Sequence, residues 1–370
     1  RACESVLVPY GGLARLMFGV VEGRWEGPIS TSPIRHGPPL GTACDPRVKT
    51  FPWPPYHRGM CEIQITCAGS AVFDVLAKSA GPLPIGVLGL VDKFSTAEGG
   101  PALRTGRVLA GMGIETRLII PVGDDIFGRS FRETVPAPHL HVDFVEYDEP
   151  TSTSLVAVDQ DGERTMLHNF GADGCLTAEA IEARMESEFL HVGGALKMPS
   201  LDNPDGAPLA RLLEEAKARG MHTSVDVVHD PTGQWQRVLP ALPFTDLIVP
   251  SLVEAEGITS LTEPAAAAVR LRELGVRFAI VTDGPNGAWI DHDDFVGHIP
   301  AFKVDTIDTT GAGDSFTGGV LTALIHGFGV EEAARMGAAL GALCTTTIDT
   351  FSGPDDPAEA WRMAGLEPPR

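Results

Sequence analysis

Beyond about position 60 the apolar residues follow two alternating rhythms. Short strand-like runs at 189–192, 223–227, 246–249 and 278–282 predict strands. Between them, apolar positions at helical spacing predict helices over 207–219, 234–242 and 263–274. Strands separated by amphipathic helices indicate a parallel sheet covered on both faces, with ligands bound beyond the carboxyl ends of its strands. Further strands are predicted at 62–67 and 116–121, and further helices at 100–112, 127–135, 330–347 and 357–364. One region breaks the rhythm. Residues 142–170 hold three strand-like runs with no helix between them, two of them joined at Gln160-Asp161-Gly162. With a candidate strand at 85–91, they predict a separate small sheet.

A second signal lies at a turn that opens straight into a helix. Phe316, Val320, Leu321, Leu324 and Ile325 place a buried helix from about Asp314 to Gly327, directly after Asp308-Thr309-Thr310-Gly311-Ala312-Gly313. The first N–H groups of such a helix are unpaired and its dipole is positive at that end, so it attracts an anion. Gly311 and Gly313 let backbone come close to that anion because no side chain intervenes. An aspartate beside an anion hole repels the ligand, which is unhelpful unless Asp314 takes the proton of a hydroxyl nucleophile. That is the arrangement of phosphoryl transfer. The plainer reading is a capping aspartate after a glycine turn. A Walker loop is excluded because the chain has no Gly-Lys pair, and a dinucleotide fingerprint because Phe316 stands where the third glycine is needed.

The stretch from Asp308 to Gly319 resembles the C-terminal signature of the ribokinase-like (PfkB) carbohydrate kinases. Upstream, Gly99-Gly100-Pro101-Ala102, Leu109-Ala110-Gly111-Met112-Gly113 and Val122-Gly123-Asp124-Asp125-Ile126-Phe127-Gly128 are similar to the N-terminal signature of that family. The resemblance spans about residues 60–370. It implies an α/β, ribokinase-like fold: a central, mostly parallel sheet with helices on both faces and a small β-sheet lid from about 84–97 and 142–170. It also implies ATP-dependent phosphorylation of a hydroxyl of a sugar or sugar-like molecule. A nucleoside kinase of the same fold and a catalytically weak ligand-binding relative are the alternatives.

By the same resemblance Asp314 is the base, and Gly311, Ala312 and Gly313 form the anion hole. Asp74, Gly99, Gly100 and Arg104 fall on substrate positions. Pro250-Ser251-Leu252-Val253-Glu254 is similar to the family's Asn-x-x-Glu motif, whose glutamate acts on Mg²⁺ through water; Ser251 replaces the asparagine. Thr282, Gly284 and Gly287 match the nucleotide turn, although a Pro-Asn-Gly stretch also suits any hairpin. Asp308 and the Thr310 carbonyl match positions that hold K⁺ in the ribokinase branch. The helices at 330–347 and 357–364 are expected beside the adenine. Arg104 departs from the pattern, since family members carry an asparagine there that binds the sugar. Its guanidinium has donors only, so it meets an acidic group of the substrate, fills the pocket, or pairs with an acid such as Asp74.

Composition narrows the partners. With 28 basic and 49 acidic side chains the formal charge is −21, which argues against nucleic acid and anionic membranes. No run reaches ~18 uncharged apolar residues, so no membrane span is predicted. The six cysteines are scattered and form no ligand pattern, as expected of reduced thiols in the cytoplasm. His139, His141 and Asp143 are expected on a solvated strand rather than around a metal. His168 and Arg164 are likewise expected as solvated strand residues. The lid sheet is the candidate homodimer contact. Residues 1–59 differ from the rest, with nine prolines and a charge of +3, and are expected to be a disordered or non-native extension ahead of a natural start at Met60.

Overall fold

Thirteen strands among the described residues separate into two sheets according to what covers them. The computed structural model describes residues 62–79, 88, 90–158, 164–230, 232–347 and 351–369. The segment 1–59, the turn at 160–162 and most of the predicted strand 85–91 lie outside them. In chain order the strands are β1 (Ile65–Gly69), β2 (Val72–Ser79), β3 (Val91–Gly99), β4 (Thr116–Gly123), β5 (Leu140–Tyr147), β6 (Thr153–Val158) and β7 (Arg164–Asn169). They continue with β8 (Phe189–Ala195), β9 (His222–Val227), β10 (Leu247–Ile248), β11 (Phe278–Thr282), β12 (Ala288–His292) and β13 (Phe295–Ile299). The helices are α1 (Pro101–Gly111), α2 (Ile126–Thr134), α3 (Ala178–Glu182), α4 (Pro199–Asp202) and α5 (Ala207–Ala218). After them come α6 (Leu252–Thr259), α7 (Pro264–Glu273), α8 (Ala312–Ile325), α9 (Val330–Cys344) and α10 (Pro357–Ala364).

The large sheet runs β13-β12-β11-β10-β9-β8-β1-β4-β5 and is parallel from β11 to β5, with an antiparallel meander at the other edge. Its central strands β1 and β8 are buried along their whole length because both of their faces are covered. In β4, Leu118 and Ile120 point into a core shared with α1, α8, α9 and α10, while Ile119 points into the opposite core with α5 and α7. The predicted helix 234–242 is instead a 3-10 stretch, Trp235–Phe244. Pro240 and Pro243 lie inside it and deny it regular helical donors.

The small sheet has the order β3-β2-β6-β7, and here the structure corrects the reading of residues 142–170. The first of those runs, β5, pairs in parallel with β4 from Thr116↔Leu140 to Gly123↔Tyr147 and closes the large sheet. Its polar alternation reflects an edge position rather than membership of the lid. The fourth lid strand is β2, which follows β1 after only Ser70 and Ala71. Asp74 therefore sits inside the small sheet.

Three crossings between the sheets meet at Asp173, which is 1% exposed. Ser70 Oγ donates to Asp173 Oδ2 at 2.5 Å and Ala71 N donates to Oδ1 at 3.2 Å. The Asp173 amide in turn donates to Ser152 Oγ at 2.9 Å, next to the start of β6. Burial pushes the Asp173 carboxyl up to about 7, against the pull of these hydrogen bonds. Asp125 lies beside the same junction: it caps α2 through Gly128 N at 2.7 Å and accepts from Thr151 N and Oγ at 2.8 and 2.9 Å.

Candidate active site

Gly311 is the residue that turns the chain into α8. Its φ of 80° lies in the left-handed region, and a Cβ there would stand 2.6 Å from Arg104 Nη1. Ala312, Gly313 and Asp314 follow as the first residues of the helix; the Ala312 amide donates back to the Thr309 carbonyl at 3.2 Å, and the Gly313 and Asp314 amides are the next in line. Gly313 is exposed, and a Cβ on it would meet nothing within 4 Å. The helix is held from both sides: Thr105 Oγ of α1 donates to the Asp314 carbonyl at 3.3 Å, and Gly318 and Gly319 let α1 and α9 approach closely.

Asp314 is half-buried in the first turn of α8. Desolvation pushes its carboxyl up to about 7; the Arg104 charge opposes that and the Glu254 charge adds to it. Asp226, at the end of β9, is buried as well, and its carboxyl is raised by burial and then by the charges of Asp314 and Glu254. The Glu254 charge of α6 thus reaches both Asp314 of α8 and Asp226 of β9. Asp226 was missed in the sequence because a lone aspartate in an apolar strand has no local pattern to announce it.

Glu254 is the third residue of α6 and forms a capping box with Ser251. Ser251 N and Oγ both donate to Glu254 Oε2, at 2.8 and 2.7 Å. The serine that replaces asparagine is thus a competent helix cap. Thr282 sits next to it, since its amide donates to the Pro250 carbonyl at 3.0 Å and it forms an isolated bridge with Ser251. Gly284 is open to solvent, whereas Gly287 closes the β11–β12 hairpin beneath the turn.

On the other side of the cleft, strand pairing aligns Ala97, Asp74, Ser154 and His168 across the small sheet. Ser154 Oγ and His168 Nδ1 lie 3.0 Å apart, which gives His168 a partner that the expectation of a merely solvated residue did not include. Gly99 admits the Asp74 carboxylate, because a Cβ on Gly99 would stand 2.5 Å from Asp74 Oδ2. Gly100 caps α1 with a φ of 96° and packs on the Ser70 backbone. Arg104, one turn into α1, is 8% exposed and places Nη2 3.9 Å from Asp74 Oδ2. Lys197, after β8, is half-buried and its ammonium is depressed by burial, with the charges of Asp230 and Glu254 opposing. It was not anticipated from the sequence.

Asp308 and Thr310 form a tight turn before α8, in which Asp308 Oδ1 accepts from Thr310 N at 2.9 Å and from Thr310 Oγ at 2.8 Å. The Thr310 carbonyl accepts from the Cys344 thiol at 3.4 Å. His139 and His141 both meet the Glu115 carboxylate, and among the described residues no three His, Cys, Asp or Glu side chains converge on a metal position. Among the same residues no helix is long and apolar enough to cross a membrane.

A doubly covered parallel sheet, a small mixed sheet as its cover and a glycine turn that presents a helix N-terminus beside a carboxylate define a phosphotransferase of the ribokinase type. The chain belongs to the pfkB family of carbohydrate kinases, whose pattern matches residues 62–356. A fructokinase of Vibrio alginolyticus is 26% identical over 318 residues, 82% of this chain and 99% of that enzyme. A 1-phosphofructokinase of Haloferax volcanii is 30% identical over 263 residues, 69% of this chain and 82% of that enzyme. A crystal structure of a ribokinase of Thermotoga maritima superposes with a TM-score of 0.70 at 24% identity, over 82% of this chain and 99% of that one, and bears out the fold. The protein is accordingly an ATP-dependent carbohydrate kinase that phosphorylates a sugar hydroxyl.

Proposed function

We propose that Asp314 takes the proton of the sugar hydroxyl while the amides of Gly313 and Asp314, with Gly311 as the pivot and Ala312 starting the helix, hold the transferred phosphoryl group. The observation that carries this reading is the position of Asp314 in the first turn of α8, flanked by the positive Arg104 and the negative Glu254. Asp74, aligned with Ser154 and His168, anchors the sugar from the lid side, with Gly99 and Gly100 shaping that wall. Thr282 and Gly284 face the nucleotide, and Gly287 keeps their turn in shape.

Glu254 and Asp226 suit Mg²⁺, a hard cation that keeps several waters and binds through one or two carboxylates and the substrate phosphates. The fit rests on the donor set, two hard carboxylates, and on the negative charge of Glu254 and Asp314 felt at Asp226, which a divalent cation relieves. When bound, the ion supplies charge neutralisation at the phosphates. Asp308 and the Thr310 carbonyl are the proposed K⁺ ligands, and equal rates in K⁺ and Na⁺ would remove that assignment. The described cysteines Cys67, Cys175 and Cys344 are free thiols, which supports a cytoplasmic setting. Exposed Phe94, Leu155, Met166 and Leu167 on the small sheet support a homodimer through the lid, to be tested by sedimentation of Met166→Asp.

The decisive assay is ADP release over a panel of sugars and nucleosides, with fructose and ribose included. Turnover of a sugar by the wild type, lost in Asp314→Asn, is the expected result. Turnover of nucleosides alone would overturn the sugar reading.

A further inference from the structure

Arg104 is a charged side chain with five N–H donors, and it is 8% exposed. Its only ion pair among the described residues is the 3.9 Å approach to Asp74, and no described acceptor lies within hydrogen-bond distance of its guanidinium. A guanidinium this buried, with donors that no protein acceptor fills, is stabilised by an anion that completes it. Its two terminal nitrogens face different things. Nη2 is directed to Asp74 on the lid, and Nη1 lies against Gly311, where a Cβ would come within 2.6 Å. The guanidinium thus spans the gap between the proposed sugar anchor and the first residue of the proposed anion hole.

We infer that Arg104 binds the phosphoryl group in flight, with Nη1 donating to its equatorial oxygens beside the Gly311 turn while Asp74 holds the other end of the guanidinium. The inference rests on the reading of Asp314 and the glycine turn as the transfer site. In that step the sugar oxygen forms a bond to the γ-phosphorus as the bond from that phosphorus to the β,γ-bridging oxygen breaks. The bonding pair remains on the ADP oxygen, and the hydroxyl proton passes to the Asp314 carboxylate. Negative charge spreads over the three equatorial oxygens, and a planar fork of donors in a desolvated site matches it. A sugar carboxylate or phosphate on the far side of the ring would not need a nitrogen at Gly311. The same placement explains why arginine is compatible with a sugar pocket in which the family carries asparagine: Asp74 neutralises it and draws it to the lid wall.

The test compares wild type, Arg104→Ala and Arg104→Lys in two ways. By calorimetry with Mg²⁺, aluminium fluoride should tighten ADP binding to the wild type by tenfold or more, through a planar phosphoryl mimic. Both variants should lose that gain while binding ADP alone as the wild type does. In steady-state assays with the best sugar from the panel, kcat should fall by about 10²-fold, with KM for the sugar changed less than about threefold. Added guanidinium should restore part of the Arg104→Ala rate and none of the Arg104→Lys rate. The inference is overturned if aluminium fluoride tightens ADP equally in all three proteins, or fails to tighten it in the wild type. A change in sugar KM with kcat intact also overturns it and makes Arg104 a sugar ligand. Wild-type turnover that depends on Asp314 would survive each of these results, so the kinase assignment and the role of Arg104 fail separately.

Discussion

Arg104 Nη2 lies 3.9 Å from Asp74 Oδ2, and through this pair the first helix after the paired glycines is joined to the inner strand of the small sheet. Each partner conditions the other. Burial raises the Asp74 carboxyl, against the opposing pull of the Arg104 charge and of a hydrogen bond from Ser154. Asp74→Asn should therefore weaken sugar binding and also leave Arg104 uncompensated. KM for the sugar is expected to rise by roughly 10- to 100-fold, the equivalent of one charged hydrogen bond of about 1.5–3 kcal/mol. Initial rates over a range of sugar concentrations measure it, and an unchanged KM removes Asp74 from the sugar site.

Asp314→Asn keeps the size of the side chain and removes the proton acceptor. Turnover should drop by a factor on the order of 10² or more, while ATP binding and the melting temperature stay close to wild type. Rapid-quench measurement of phosphoryl transfer is the appropriate check. Near-normal turnover would make Asp314 a helix cap only.

The paired glycines lead to a steric prediction. Gly99 has no left-handed φ, so alanine is compatible with its backbone, but the added methyl would stand 2.5 Å from Asp74 Oδ2. Gly99→Ala should displace the carboxylate and raise the sugar KM severalfold with little loss of stability. Parallel melting curves and sugar titrations distinguish this from general misfolding, which would lower both together.

Asp173 predicts a pH dependence of folding. Its carboxyl is raised to about 7 in the folded state by burial, above an ordinary value near 3.8. A raised folded value means that its contribution is complete below about pH 4, declines as the pH climbs to about 7, and is flat beyond. Asp173→Asn should thus gain stability relative to wild type between pH 5 and 8, by a few kcal/mol at most. Urea unfolding across that range gives the difference, and parallel curves for the two proteins would refute it.

What the amino-acid sequence determined by itself is whatever depends on neighbours along the chain. The turn from Asp308 to Asp314 and the helix behind it were legible because a left-handed glycine, unpaired first-turn amides and a helical apolar stripe are all local properties. The strand and helix rhythm from β8 to β11 was legible for the same reason, except where Pro240 and Pro243 turned a helical stripe into 3-10 structure. Tertiary structure decided the rest. Strand β5 joined the large sheet because its backbone found β4, a pairing that its own alternation does not encode. Asp226 met Asp314 and Glu254 because β9 ends where α8 and α6 begin, and Arg104 met Asp74 and Gly311 because α1 packs against α8 beneath the small sheet. Strand pairing and helix packing join residues far apart in sequence through contacts that exist only once the chain has folded, so the partner of a lone charged residue cannot be read from its neighbours along the chain.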